Sequence, residues 1–65
     1  MIKLGMYKHY KGNTYKVIAI ASHTETGEEM AIYHAVDTPE KIWVRPVSMW
    51  EEMVNGVPRF KFIQE

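Results

Sequence analysis

The residues able to do chemistry fall into three groups. The run His23-Thr24-Glu25-Thr26-Gly27-Glu28 sets an imidazole beside two carboxylates. Such a set could serve acid–base work or hold a divalent cation. However, His9, His23 and His34 lie far apart in the chain, without the paired spacing that zinc sites use. We therefore expect no metal and no cofactor. Threonine and glutamate beside a glycine turn also serve to satisfy loop amides, with His23 ending a strand. The second group is Trp43-Val44-Arg45-Pro46, joined by Arg59. Tryptophan and arginine are the types in which binding energy concentrates. If Ile42 and Val44 point inward, Trp43 and Arg45 point out to solvent, free to stack on a base or on one another. The structural alternative packs Trp43 under a Ser48–Met53 turn, with Arg45 bridging to Glu25, Glu28 or Glu51. The third group, Tyr10, Tyr15, Tyr33 and Trp43, could line a peptide groove or a platform for single strands, although in a chain this short most aromatics must build the core. Trp50, Phe60 and Phe62 are assigned to the core. His9-Tyr10-Lys11-Gly12 lacks the glycine spacing of a phosphate loop, and no nucleophile motif is present.

These side chains need a scaffold, and the chain of 65 residues allows a single domain, residues 1–65. It has no cysteine, so a disulfide cannot staple it. The core must be hydrophobic, and the aromatic content of 12% can fill a small one. Net charge is zero, with 8 basic and 8 acidic residues. A nucleic-acid binder usually carries a basic excess, because phosphate neutralisation dominates its affinity. The first residues lack the apolar run of a signal peptide, and no stretch is long enough to span a membrane. A soluble, cytoplasmic domain is expected.

Turn residues recur at short intervals, which predicts several short strands. Met6–Tyr10 is a first strand or extended lead-in. Lys11-Gly12-Asn13 is a turn. Thr14–His23 is the clearest strand, with Tyr15, Val17, Ala19 and Ala21 on one face and Lys16, Ile18, Ile20 and Ser22 on the other. Both faces are apolar in the middle, as in a bent barrel strand. Thr24-Glu25-Thr26-Gly27 turns the chain into Glu28–Val36. Pro39 ends that segment, and Lys41–Arg45 is the fourth strand. Ser48-Met49-Trp50-Glu51 fits a capping box opening a turn or two of helix, which Asn55-Gly56 stops. Pro58–Ile63 is the last strand. The order predicts an all-β fold: a small five-stranded SH3-like barrel with one short helical turn before the last strand. The runner-up is a small α+β domain with a helix over Val47–Val54.

The runs His9-Tyr10-Lys11-Gly12, Tyr15-Lys16-Val17 and His23-Thr24-Glu25-Thr26-Gly27-Glu28, with Tyr33, then Trp43-Val44-Arg45-Pro46, Met49 and Arg59-Phe60, resemble the bacterial domain of unknown function DUF1653. The resemblance extends from about Tyr7 to Phe62, with Trp50 where the family more often has Phe. It implies an intact, bacterial-type compact domain and carries no activity to transfer.

The expected function is a non-enzymatic binding module. Its face combines His9, Lys11, Tyr15, His23, Glu25, Trp43, Arg45 and Arg59, and its target is a peptide, a protein partner or a small ligand. A homodimer is compatible with this. The competing reading is an enzyme or enzyme accessory domain using His23 and the nearby carboxylates, which needs a sheltered pocket. A small-barrel nucleic-acid module ranks below both because of the neutral charge.

Overall fold

In a computed structural model, residues 2–65 are described. The β-branched and aromatic run after Asn13 forms the long central strand β2, Thr14–Ser22. It pairs on one side with β1, Gly5–His9, and on the other with β3, Glu29–Ala35. The strand β4, Trp43–Pro46, adds beyond β3. The chain then makes one short helix, α1, Val47–Trp50. A small hairpin follows, β5 at Met53–Val54 and β6 at Val57–Pro58. The last strand, β7, Phe60–Gln64, returns to pair with β1. The main sheet is antiparallel throughout, in the order β4-β3-β2-β1-β7.

The all-β expectation holds, and the closed barrel does not. β4 and β7 are the two edges of the main sheet and form no ladder with each other among the described residues. The sheet is nevertheless strongly curved. The rings of Tyr33 on β3 and Phe60 on β7 are 6.4 Å apart, although two strands separate theirs. In a flat sheet those strands would lie roughly 14 Å apart. Trp50 fills the hollow of the curve, at 4.8 Å from the Tyr33 ring and 3.7 Å from that of Phe60. Side-chain packing therefore spans the gap that hydrogen bonds would close in a barrel. β4 is only four residues long and ends at Pro46, which has no N–H to extend the ladder.

The short helix is present, but the capping box is not. Pro46 occupies the N-cap, and no side chain caps the helix. Ser48 falls inside the first turn, two positions past the cap, too late to accept from the orphan amides. The Val47–Val54 helix of the α+β alternative is excluded, because α1 ends at Trp50. Asn55-Gly56 does not stop that helix either. It turns the β5–β6 hairpin, with φ of 51° at Asn55 and 84° at Gly56. Positive φ at both central residues is the tight hairpin geometry that Asn-Gly favours.

The core consists of Tyr7, Val17, Ala31, Tyr33, Val47, Trp50 and Phe60, with Ile2, Tyr15, Ile20 and Phe62 packed against it. Ile20 reaches it through an irregularity in β2. The register runs Val17↔Tyr33, then Ala19↔Ile32 and Ile20↔Ala31, leaving Ile18 without a partner. One extra residue inverts the alternation beyond it. Ile20, and not Ala19, thus lies across from the fully buried Ala31. The two apolar faces in the middle of this strand are explained by the bulge.

At the β1 edge of the core, the Tyr7 hydroxyl accepts from the Lys3 amide at 3.0 Å and donates to the Lys3 carbonyl at 2.7 Å. Burial raises the Tyr7 pKa above its ordinary 10.0, the Lys3 bonds partly offset this, and Glu51 adds to it.

Candidate functional site

The strand β4 decides where the site lies. Its register with β3 is Ala31↔Arg45, Ile32↔Val44 and Tyr33↔Trp43. Residues directly opposite share a face of the sheet. Ala31 and Tyr33 belong to the buried core, so Trp43 and Arg45 lie on the inner, concave face. Ile42 and Val44 are the exposed ones, at 50% and 58%. This reverses the inward and outward assignment made from the sequence. Trp43 is not packed under the helical turn either, since 46% of it remains exposed.

A hollow of about 510 Å³ opens on that face, lined by Tyr15, Tyr33, Thr38, Lys41, Trp43 and Arg45. Its walls are aromatic rings in edge contact. Tyr15 lies 5.7 Å from Tyr33 and 5.8 Å from Phe60. Arg45 is half-buried, with its guanidinium 5.7 Å from the centre of the Phe60 ring. That contact is within cation–π range and holds the guanidinium in place. At the outer rim the Lys41 ammonium stands 5.1 Å from the Trp43 ring. Lys41 was not foreseen as a site residue. Its signal was the two-residue alternation Lys41, Trp43, Arg45, which gives all three one face of an extended segment.

His9, on β1, lies beside Tyr15 and Phe60 but outside the lining of the hollow, in a separate depression with Val57, Pro58 and Lys61. Its ring is 6.2 Å from Tyr15 and 4.9 Å from Phe60. Its Nδ1 accepts a hydrogen bond from the Lys11 amide at 3.1 Å, which places the proton of the neutral ring on Nε2. Burial lowers the His9 pKa below 6.5, and the cations Arg59, Lys11 and Arg45 lower it further. Lys11 itself sits in the exposed turn after β1, its ammonium 5.8 Å from the Tyr10 ring. Arg59 is half-buried and ion-paired with Glu52 at 3.2 Å.

His23 and Glu25 belong elsewhere. They follow the last β2–β3 pair, Ser22↔Glu29, in the exposed hairpin loop. His23 Nδ1 accepts from the amides of Glu25 and Thr26, at 3.2 and 3.4 Å. Neither residue lines the hollow beside Arg45. The structure thus gathers Tyr15, Trp43 and Arg45 around the hollow, with His9 behind Tyr15 and outside the lining. It places Lys11 and Arg59 on the basic flank of His9, and leaves His23 and Glu25 in a separate turn. Among the described residues, no three His, Asp or Glu side chains converge as a metal site requires.

Fold and site together define a small antiparallel β domain with an aromatic hollow on its concave face. The chain belongs to the family described as protein of unknown function (DUF1653), whose sequence pattern it matches over residues 5–62. It is similar to a solved crystal structure of a DUF1653 protein from Bordetella bronchiseptica. The two share 28% identity with a TM-score of 0.82, over 95% of this chain and 87% of the other. No curated protein matches the chain. No helix among the described residues is long and apolar enough to cross a membrane.

Proposed function

We propose that the domain is a non-enzymatic binding module whose site is the hollow between Tyr15, Tyr33, Trp43 and Arg45. One observation carries this reading. Trp43 lies on the inner face of the sheet yet is nearly half exposed, at the mouth of a hollow walled by aromatic rings. Small-molecule sites are concave, mostly apolar and provided with a few placed polar groups. The hollow is more polar than that, pairing the rings of Tyr15, Tyr33 and Trp43 with Thr38, Lys41 and Arg45 in about equal measure. Its size favours a small ligand, or one side chain of a peptide or protein partner, over a long extended segment.

The strand order supports describing the fold as an open relative of the SH3-like sheets, a meander whose last strand returns beside the first. An acid–base role for His23 draws no support from the geometry, because it stands with Glu25 and Glu28 in an exposed turn away from the hollow. The test is a titration of ¹⁵N-labelled protein with a panel of anionic, neutral and cationic ring compounds. The amides and side chains of Tyr15, Tyr33, Trp43 and Arg45 should shift saturably with at least one class. Shifts confined to other surfaces would overturn the reading.

A further inference from the structure

Among the described residues the guanidinium of Arg45 has no counter-charge. It lies beside the Phe60 ring, and among the described residues it makes neither an ion pair nor a side-chain hydrogen bond; the ion pair found joins Arg59 to Glu52. Half-buried arginine is ordinarily matched by a carboxylate or phosphate, which its planar fork grips through two parallel bonds. Lys41 adds a second cation at the same hollow. Arg59, Lys11 and Arg45 together raise the potential at neighbouring His9. Among the described residues no carboxylate lines this hollow; Asp37 borders the neighbouring one, with Gly12 and Asn13. The hydroxyls of Tyr15 and Tyr33 are likewise without protein partners among the described residues, so they add neutral donors. The chain as a whole is neutral, so this positive hollow is a local feature. A local cluster suits a compact anion better than a long polyanion, whose affinity grows with the number of phosphates neutralised.

We propose, resting on the binding-module reading, that the hollow takes a small flat-ringed oxyanion: an aromatic or heteroaromatic ring bearing a carboxylate or phosphate. The oxyanion lies on the Arg45 fork, with Lys41 as a second cation. The ring packs against Trp43 and the tyrosine edges. Stacking tolerates many rings, so the anion sets the class and the ring sets the fit.

The experiment is an NMR titration of the full chain with two matched pairs. Adenosine 5′-monophosphate is compared with adenosine, and 2-naphthoate with 2-naphthalenemethanol. At least one anion should shift Tyr33, Trp43 and Arg45 saturably and bind roughly tenfold or more tighter than its uncharged partner, as expected for a charge-assisted bond. Which anion does so tells phosphate from carboxylate. Arg45→Gln should remove that advantage, while Lys61→Gln on the outer face should leave it intact. If Arg45→Gln does not fold, Arg45→Lys decides: it keeps the charge and loses the fork, so the anion should bind detectably weaker. Equal binding of both members of each pair would overturn the proposal. So would occupation of the hollow by neutral or cationic rings alone, an outcome that leaves the binding-module reading standing. Absence of any ligand from the hollow would overturn both.

Discussion

Trp50 and Phe60 lie face to face, with ring centroids 3.7 Å apart and planes 4° from parallel. One comes from the short helix and the other from the returning strand, so this pair joins the two halves of the core. Trp50 is also in edge contact with Tyr7 and Tyr33, at 5.4 and 4.8 Å. Trp50→Ala should cost about 3–5 kcal/mol. A single core in a domain this small supplies about that much in total. The variant should therefore be largely unfolded in circular dichroism and in urea titration. Trp50→Phe should remain folded. It keeps the stack and removes a buried indole N–H that has no protein acceptor among the described residues.

Gly5 is held at φ of 132°, and a Cβ placed there would meet the Gln64 carbonyl oxygen at 2.5 Å. Both the backbone region and the space exclude a side chain. Gly5→Ala should destabilise by at least about 1–3 kcal/mol, the scale of a strained backbone residue. Equilibrium unfolding in urea measures it, and a loss under about 0.5 kcal/mol, the range of neutral surface changes, would show the strand pair yielding without strain.

Ser48 provides the opposite case. Because the helix has no side-chain cap, Ser48→Ala should change stability by less than about 0.5 kcal/mol. A loss near 1 kcal/mol, typical of a deleted cap, would restore the capping box.

The order of the first four strands, the short helix and the last strand, and the core aromatics Trp50 and Phe60, were legible in the sequence, because turn residues and apolar alternation are local signals; the β5–β6 hairpin between helix and last strand was not. The facing of β4 was not. Ile42, Trp43, Val44 and Arg45 read equally well with either pair inward. Only the pairing of Trp43 with Tyr33 decides it, and that is a contact between segments. The bulge at Ile18 was hidden for a similar reason: an extra residue leaves a continuous apolar run looking like a regular strand. Asn55-Gly56 did carry a hairpin signal, masked by the brevity of the strands around it and by Pro58. As for the site, residue types found Trp43, Arg45 and Tyr15. They could not separate these from His23 and Glu25, whose loop turns inward on its own amides.

His9 makes stability depend on pH. Its folded pKa is lowered below the ordinary 6.5, chiefly by burial and then by Arg59, Lys11 and Arg45. As pH falls through 6.5 the unfolded chain takes up the proton first, so the folded state loses stability until the folded pKa is passed. Protonation at Nδ1 would also deprive the Lys11 amide of its acceptor. Urea midpoints measured between pH 7.5 and 5 should fall for the native chain and fall less for His9→Gln. Identical slopes would assign the pH dependence to other groups.

Trp43 and Arg45 are expected to be dispensable for folding. Trp43 is nearly half exposed, and the contact of Arg45 with Phe60 is worth about 0.5–1 kcal/mol. Trp43→Ala and Arg45→Gln should each keep a dispersed amide spectrum and a cooperative urea transition. Loss of the fold in both would make the pair structural and remove the argument for a site.

The most direct test of the account is the ligand-induced shift map of ¹⁵N-labelled protein titrated with the matched anionic and neutral ring compounds. The predicted result is a saturable cluster at Tyr15, Tyr33, Trp43 and Arg45 that appears with an anion and fades when its charge is removed. Shifts centred instead on the exposed Ile18, Ile42 and Val44, or no saturable shifts at the hollow with any ring compound, would contradict it.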